Sequence, residues 1–332
     1  MKRSKLHRWI AALSGVALAS SAVLVGVATG ATTAGAASLT SLVGTFHITA
    51  GANLPAGGPP TGSYFRMLYP GGTLNGPDSN YIGNASSSAT DQTYTLLSPG
   101  TKGGLETGSF QPAPSSAFDA SGNALANSII QPTGFFGVNF SAETESPDPQ
   151  TNATVVAPSI STDTSGHLSG NLEALSASWN NQFFNQGSPK PDGTYPVPTT
   201  AVSGTYNPST LAYTLTWASL IVGGPFNGFT GQWFLTGTFA RASFQITTLA
   251  LPGATKGSPY SDQLTAAGGP TPYKWKATGL PKGLKLGVTT GLIAGTVTSK
   301  KVSPGNFNVS VTATDKAKPK ATATASFTLT LT

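Results

Sequence analysis

The sequence predicts an all-β protein, with a larger β-barrel-like or β-sandwich domain over residues 38–243 and a second, smaller sandwich over 244–332. Three observations carry that expectation. Only 9% of the 332 residues are Asp, Glu, Lys or Arg, while Gly (40) and Pro (25) are abundant. That composition excludes a coiled coil, a helical repeat and a charge-rich disordered chain. Short runs alternate apolar and polar residues with period two, the pattern of half-buried strands. Gly- and Pro-rich turns separate those runs, and no convincing amphipathic helix follows residue 37. The nearest helical candidate, 168–182, is weakened by Ser169-Gly170-Asn171.

The first 37 residues read as a secretory signal peptide. Lys2, Arg3, Lys5 and Arg8 precede an apolar run from Ile10 to Val27, and Ala34-Gly35-Ala36-Ala37 closes it. Cleavage is expected after Ala36 or Ala37. The competing reading is an uncleaved anchor, because the run approaches the length of a spanning helix. No later segment is long and apolar enough to span a membrane. The expected location is secreted or extracellular, extending to the cell wall. With no Cys, disulfides, thiolate zinc sites and Cys nucleophiles are excluded. Packing and sheet hydrogen bonds must hold the chain.

The formal charge of +6 falls to +2 once the four basic residues of the signal are removed. The remainder is divided. Residues 38–243 carry Arg66, Lys102, Lys190 and Arg241 against ten acids; residues 244–332 carry ten Lys against Asp262 and Asp315. Halves of opposite sign attract each other or face different partners.

In 244–332, Phe307, Val309, Val311 and Ala313 alternate with polar residues, as do Ala323, Ala325, Phe327, Leu329 and Leu331. Tyr273, Trp275 and Ala277 point opposite to Lys274 and Lys276. Turns fall at 267–270, 279–283 and 303–305, spacing that argues a β-sandwich. Ordered landmarks run through the segment: Leu251-Pro252, Tyr260, Pro272-Tyr273-x-Trp275, Gly279-Leu280-Pro281-x-Gly283-Leu284, Gly291-x-Ile293-x-Gly295-Thr296 and Gly305-x-Phe307-x-Val309-x-Val311-x-Ala313-x-Asp315. With these, residues 244–332 resemble the Putative Ig domain family of bacterial secreted and surface proteins, related to cadherin-like domains. The resemblance implies an Ig-like sandwich serving as a spacer or adhesion module, without defining a ligand. Some cadherin-like relatives bind calcium, which needs six to eight oxygen ligands. The weak candidates are Glu143, Glu145, Asp148 and Asp315; no other cofactor is expected. Lys300, Lys301, Lys316, Lys318 and Lys320 form a candidate basic patch. They are either a solvated edge that discourages strand pairing or a contact for anionic wall polymer. Nucleic acid is not an expected partner, since no reader motif is present.

In 38–243 one pattern recurs: Leu42-x-Gly44-x-Phe46, Leu168-x-Gly170-x-Leu172, Val202-x-Gly204-x-Tyr206 and Leu235-x-Gly237-x-Phe239. Each Gly shares a strand face with its apolar neighbours. A missing side chain there lets a strand coil sharply, as in a barrel or tightly wrapped sandwich. Phe136, Val138 and Phe140 also read as one strand face. The odd parity of Trp233, Leu235 and Phe239 gives way to even parity at Phe244 and Ile246. That switch predicts a kink near 241–243 and a short junction.

Catalytic motifs are absent. His47 and His167 stand 120 positions apart, and there is no His-Glu-x-x-His, Gly-x-Ser-x-Gly or phosphate-binding loop. A carboxylate pair for glycoside hydrolysis remains open, with Glu106, Glu143, Glu145, Asp148, Asp163 and Glu173 as donors. The Glu143–Asp148 cluster reads as a solvated loop because Pro147 and Pro149 flank Asp148. The favoured ligand-binding residues are Trp179, Asn180, Asn181, Gln182, Phe183 and Phe184, joined by Phe229 and Trp233 from a second stretch, 224–233. Rings stack on sugar C–H faces and amides bond sugar hydroxyls. The competing reading is that the rings cover the core. The sequence therefore favours a non-catalytic binding or adhesion protein directed at extracellular polysaccharide. A secreted polysaccharide hydrolase and a structural envelope protein are the alternatives.

Overall fold

A computed structural model describes residues 39–55, 58–317 and 320–332. The expected signal peptide and Lys318 lie outside the described residues. Residues 37–332 form one compact unit. Among the described residues, every regular element is a strand except a 3-10 turn at Asp78–Asn80. The helical candidate at 168–182 instead falls in the strands His167–Asn171 and Leu175–Trp179 and the start of Gln182–Asn185.

The largest sheet returns on itself. Thr40–Leu42 pairs with Ser159–Thr162. From there the order runs through His167–Asn171, Thr200–Tyr206, Ala212–Leu220 and Thr230–Arg241. Thr230–Arg241 then pairs with Gly44–Ile48. Only Val43 separates the first strand from the last, so segment 40–48 closes a barrel-like sheet. All four glycines of the repeated pattern lie in this ring. A Cβ at Gly44, Gly170, Gly204 or Gly237 would run into the main-chain oxygen of Ala240, Ser159, Thr214 or His47 respectively. Close strand approach, and hence tight coiling, needs the missing side chain. Leu42, Phe46, Leu168, Val202, Leu215, Leu235 and Phe239 fill the interior.

A second, four-stranded sheet lies against this core. Its order is Gln182–Asn185, Leu175–Trp179, Val138–Thr144, Thr133–Phe135, all antiparallel. Phe135, Phe140, Ala177, Trp179 and Phe184 belong to the same core cluster as Phe65 and Trp233. Phe136 does not share a face with Phe140 as the alternation suggested. The chain turns at Phe136-Gly137, and Phe135 takes the inward place.

Residues from 245 onward build a sandwich around a second core. One sheet orders Pro259–Gln263, Leu292–Thr296 and Leu284–Leu286; the other orders Lys274–Thr278, Gly305–Thr314 and Thr322–Leu331. Trp275, Ile293, Val309, Val311, Leu329 and Leu331 are buried between them, on the faces their alternation predicts. The parity switch falls where expected. The long strand ends at Arg241, Ala242 N–H donates to Val43 O at 3.0 Å, and the next strand starts at Gln245. Across the junction Arg241 Nη1 stands 3.4 Å from Asp315 Oδ2.

The candidate basic patch does not form one surface. Lys316 and Lys320 lie in a loop, not a strand, because the buried Asp315 carboxylate accepts from the backbone N–H groups of Ala317 and Ala321 and curls the chain. This loop joins Thr314 to Thr322, whereas Lys300 and Lys301 precede Gly305 at the opposite end of the same hairpin. The strand length between them, ten residues, is about 30 Å.

Candidate functional site

The two aromatic-and-amide stretches meet at one end of the four-stranded sheet. Asn180-Asn181 forms the turn between Leu175–Trp179 and Gln182–Asn185. Loop 222–229 packs beside it: the Trp179 and Phe226 rings are 5.2 Å apart, and Gln150 Nε2 donates to Val222 O at 2.7 Å. Sequence separation hid this convergence; the loop reaches the site because it precedes the long barrel strand.

The fold divides these residues into a floor and a rim, and this corrects the expected ligand contacts. Trp179, Phe184 and Trp233 are buried. Trp179 Nε1 donates to Phe135 O at 2.7 Å and Trp233 Nε1 to Gln186 Oε1 at 3.2 Å. Trp233 also stacks on Trp217 at 5.7 Å with planes 2° apart. Their polar atoms are satisfied and their faces covered, so they support the site without touching a solute. Phe183 is half-buried against Phe118, 5.2 Å away. Asn180, Asn181 and Gln182 are exposed.

The rim rings come partly from elsewhere. Tyr69, Phe229, Phe226 and Phe136 form a continuous chain with centroid separations of 5.5, 5.8 and 5.4 Å. Tyr69 is 40% exposed and Phe136 38%. Below Phe226 lies a small apolar cavity of about 30 Å³, lined also by Phe135, Phe140, Trp179 and Phe184. Phe229 was foreseen; Tyr69 and Phe136 were not. Phe136 has φ +48°. A bulky side chain rarely occupies that left-handed region, where such outliers mark functional positions.

The carboxylates occupy the other face of this sheet. Contrary to the solvated-loop reading, Glu143 and Asp148 are fully buried. Glu143 Oε2 accepts from Ser178 Oγ at 2.9 Å, while Oε1 has no partner. Burial pushes the Glu143 carboxyl well above its usual range, against the Ser178 bond. Asp148 is saturated: Oδ1 accepts from Thr151 N and Oγ1, Oδ2 from Ser176 Oγ and Asn185 Nδ2. Lys190 is buried nearby, donates to Asn185 O at 2.8 Å, and is pushed down to about 8 by desolvation. Neither Glu143 nor Asp148 lines the small apolar cavity. Of the other two calcium candidates, Glu145 is half-buried, and Asp315 is engaged with Arg241 and its own loop. Among the described residues, no three acidic or His side chains converge as a metal site. His47 is exposed on its strand, and His167 Nδ1 pairs with Asp163 Oδ2 at 3.0 Å.

Residues 242–332 match the model of the Putative Ig domain family, in agreement with the two facing sheets. The comparison with curated proteins gave no match. Among solved structures, the chain is similar to a putative alpha-galactosidase from Bacteroides fragilis at 25% identity and TM-score 0.22, covering 27% of this chain and 18% of that one. It is also similar to Drosophila N-cadherin EC1-3 (16% identity, TM-score 0.24, 37% of this chain and 44% of that one). A third similarity is to mouse cadherin-23 EC22-24, at 9% identity and TM-score 0.25, covering 82% and 87%. Among the described residues, no helix is long and apolar enough to cross a membrane.

Proposed function

We propose that this is an extracellular, non-catalytic binding or adhesion protein whose aromatic rim contacts glycan, with the Ig-like sandwich as its positioning module. The observation that carries the reading is the ring chain Tyr69–Phe229–Phe226–Phe136, at the same end of the four-stranded sheet as the exposed amides of Asn180, Asn181 and Gln182. Flat apolar rings beside free amides suit a sugar, which presents C–H faces and hydroxyls together. The strained Phe136 supports it further. A turn that takes Asn-Gly more easily keeps a ring at its tip.

The test is a glycan array probed with residues 37–332 and with the Tyr69→Ala and Phe136→Asn variants. The expected result is saturable binding to at least one polysaccharide, weakened in both variants while their circular dichroism stays unchanged. Absence of any saturable glycan, or full binding by both variants, would remove this reading.

A further inference from the structure

A second site lies at the other kind of opening this fold creates, the mouth of the barrel. The turn at 163–166, the turn at 207–211, the end of the long strand and the start of the first strand all reach one end of the ring. The sandwich loop, through Lys320 and Ala321, forms the facing wall. Between them is a cleft of about 680 Å³. That size lies within the range of small-molecule sites, and barrel mouths are among their preferred places.

The lining has two chemistries. Leu42 and Phe239, the inner residues of the glycine pattern, form an apolar floor with Leu211 and Tyr206. Arg241 and Lys320 bring positive charge to one side. Two carboxylates stand near them and keep their negative charge, with their oxygens already hydrogen-bonded. Asp163 Oδ1 accepts from Ser165 and His167 N–H at 2.8 and 2.9 Å, and Oδ2 pairs with His167. Asp315 lies buried behind Arg241, holding the sandwich loop.

Leu211 supplies an independent sign. Its φ is +62°, in the left-handed region, yet it is 43% exposed and lines the cleft. Gly or Asn would suit that turn better. Strain of this kind at the edge of a cleft fits a position that meets a ligand.

We propose that the barrel mouth binds a small amphiphilic carboxylate, whose apolar body lies on Leu42, Leu211, Tyr206 and Phe239 and whose carboxylate faces Arg241 and Lys320. The Lys320 ammonium, with the charge of Arg241 beside it, selects a carboxylate over a neutral amide of the same shape. The site is separate from the aromatic rim and does not depend on it.

The probe is phenylbutyrate, compared with phenylbutanamide, titrated calorimetrically into residues 37–332. Phenylbutyrate binds saturably, and the amide binds about tenfold more weakly. Lys320→Ala weakens phenylbutyrate about fivefold through the lost charge. Leu211→Gly weakens it about tenfold through lost apolar contact, while the melting temperature does not fall because Gly suits the turn. Tyr69→Ala, at the rim, leaves phenylbutyrate binding unchanged, so failure of one site is distinguishable from failure of the other. Reduced affinity in either cleft variant with an unchanged fold supports the assignment. No saturable binding, equal binding of the amide, or unchanged affinity in both cleft variants overturns it.

Discussion

Two hairpin tips project from the same end of the four-stranded sheet, and they obey local rules differently. Asn180-Asn181 and Phe136-Gly137 are both two-residue turns with both φ values positive, +48° and +58° against +48° and +88°. That is the hairpin turn whose twist matches the flanking strands, and it favours Asn, Asp and Gly. The first tip satisfies the preference twice. The second puts a Phe in the left-handed region and leaves it 38% exposed. The tips share a sheet and a turn geometry, so neither the strands nor the backbone accounts for the contrast. Phe136 breaks its local rule while its ring rests on Phe135 and Phe226 and stays partly exposed, which is what the proposed ligand-facing role requires.

The largest expected effect concerns the sheet both tips stand on. Glu143 is buried on its outer face with its carboxyl raised by desolvation. A carboxyl whose folded pKa exceeds its unfolded value of about 4.3 keeps its proton only in the folded state. Its contribution is therefore fully present in acid and declines as pH rises toward the folded value. The decline is about 1.4 kcal/mol per pH unit. Glu145 adds the same sign more weakly. Lys190, lowered to about 8, adds the opposite slope only above that pH. Urea unfolding between pH 5 and 7 should show wild-type stability falling and Glu143→Gln remaining nearly level. Equal slopes in the two proteins would show that Glu143 is not held protonated.

Exchanging the two tips gives the next effects. Phe136→Asn installs the preferred residue, removing about 1–2 kcal/mol of left-handed strain. That gain offsets the lost ring contacts with Phe135 and Phe226, at 4.9 and 5.4 Å. Stability should stay within about 1 kcal/mol of wild type, while glycan affinity falls about tenfold, as expected for losing one stacking ring. The reverse change, Asn180→Phe, imports the strain and should cost about 1–2 kcal/mol in urea unfolding. If Phe136→Asn loses stability as severely as a core truncation, the ring is packing and the contrast between the tips disappears.

Much of this was readable from residues. The glycine pattern identified four ring strands because close backbone approach leaves a fixed two-residue signature. In the sandwich, the strands Lys274–Thr278, Gly305–Thr314 and Thr322–Leu331 followed from alternation. Trp233 could have been placed correctly: it shares odd parity with Leu235 and Phe239, so its burial was implied by the strand that carries it. The rim was not legible. Tyr69, just past the strand Tyr64–Leu68, reaches Phe229 from far away in sequence, and Phe136 sits where turn chemistry predicts Asn. Glu143 looked solvated beside Pro147 and Pro149. It is buried because Ser176 and Ser178 of the adjacent strand and the loop carrying Ala126, whose main-chain oxygen accepts from Ser141 Oγ, share that face. Lys316 and Lys320, two members of the candidate basic patch, are held in a loop by Asp315, which their sequence does not reveal. Local periodicity encodes which face is buried; what lies against that face is decided by distant segments.

The smallest effect separates the two roles of Asn180. Its left-handed conformation serves the turn, and its exposed amide stands at the same end of the sheet as the rim. Gly adopts the same backbone at little steric cost, so Asn180→Gly preserves the turn and deletes only the amide. Unfolding free energy should change by less than about 0.5 kcal/mol. If the amide bonds a sugar hydroxyl, glycan affinity should fall about threefold, the size of one net hydrogen bond. If affinity is unchanged, Asn180 is present for its turn alone, and recognition rests on the rings opposite it.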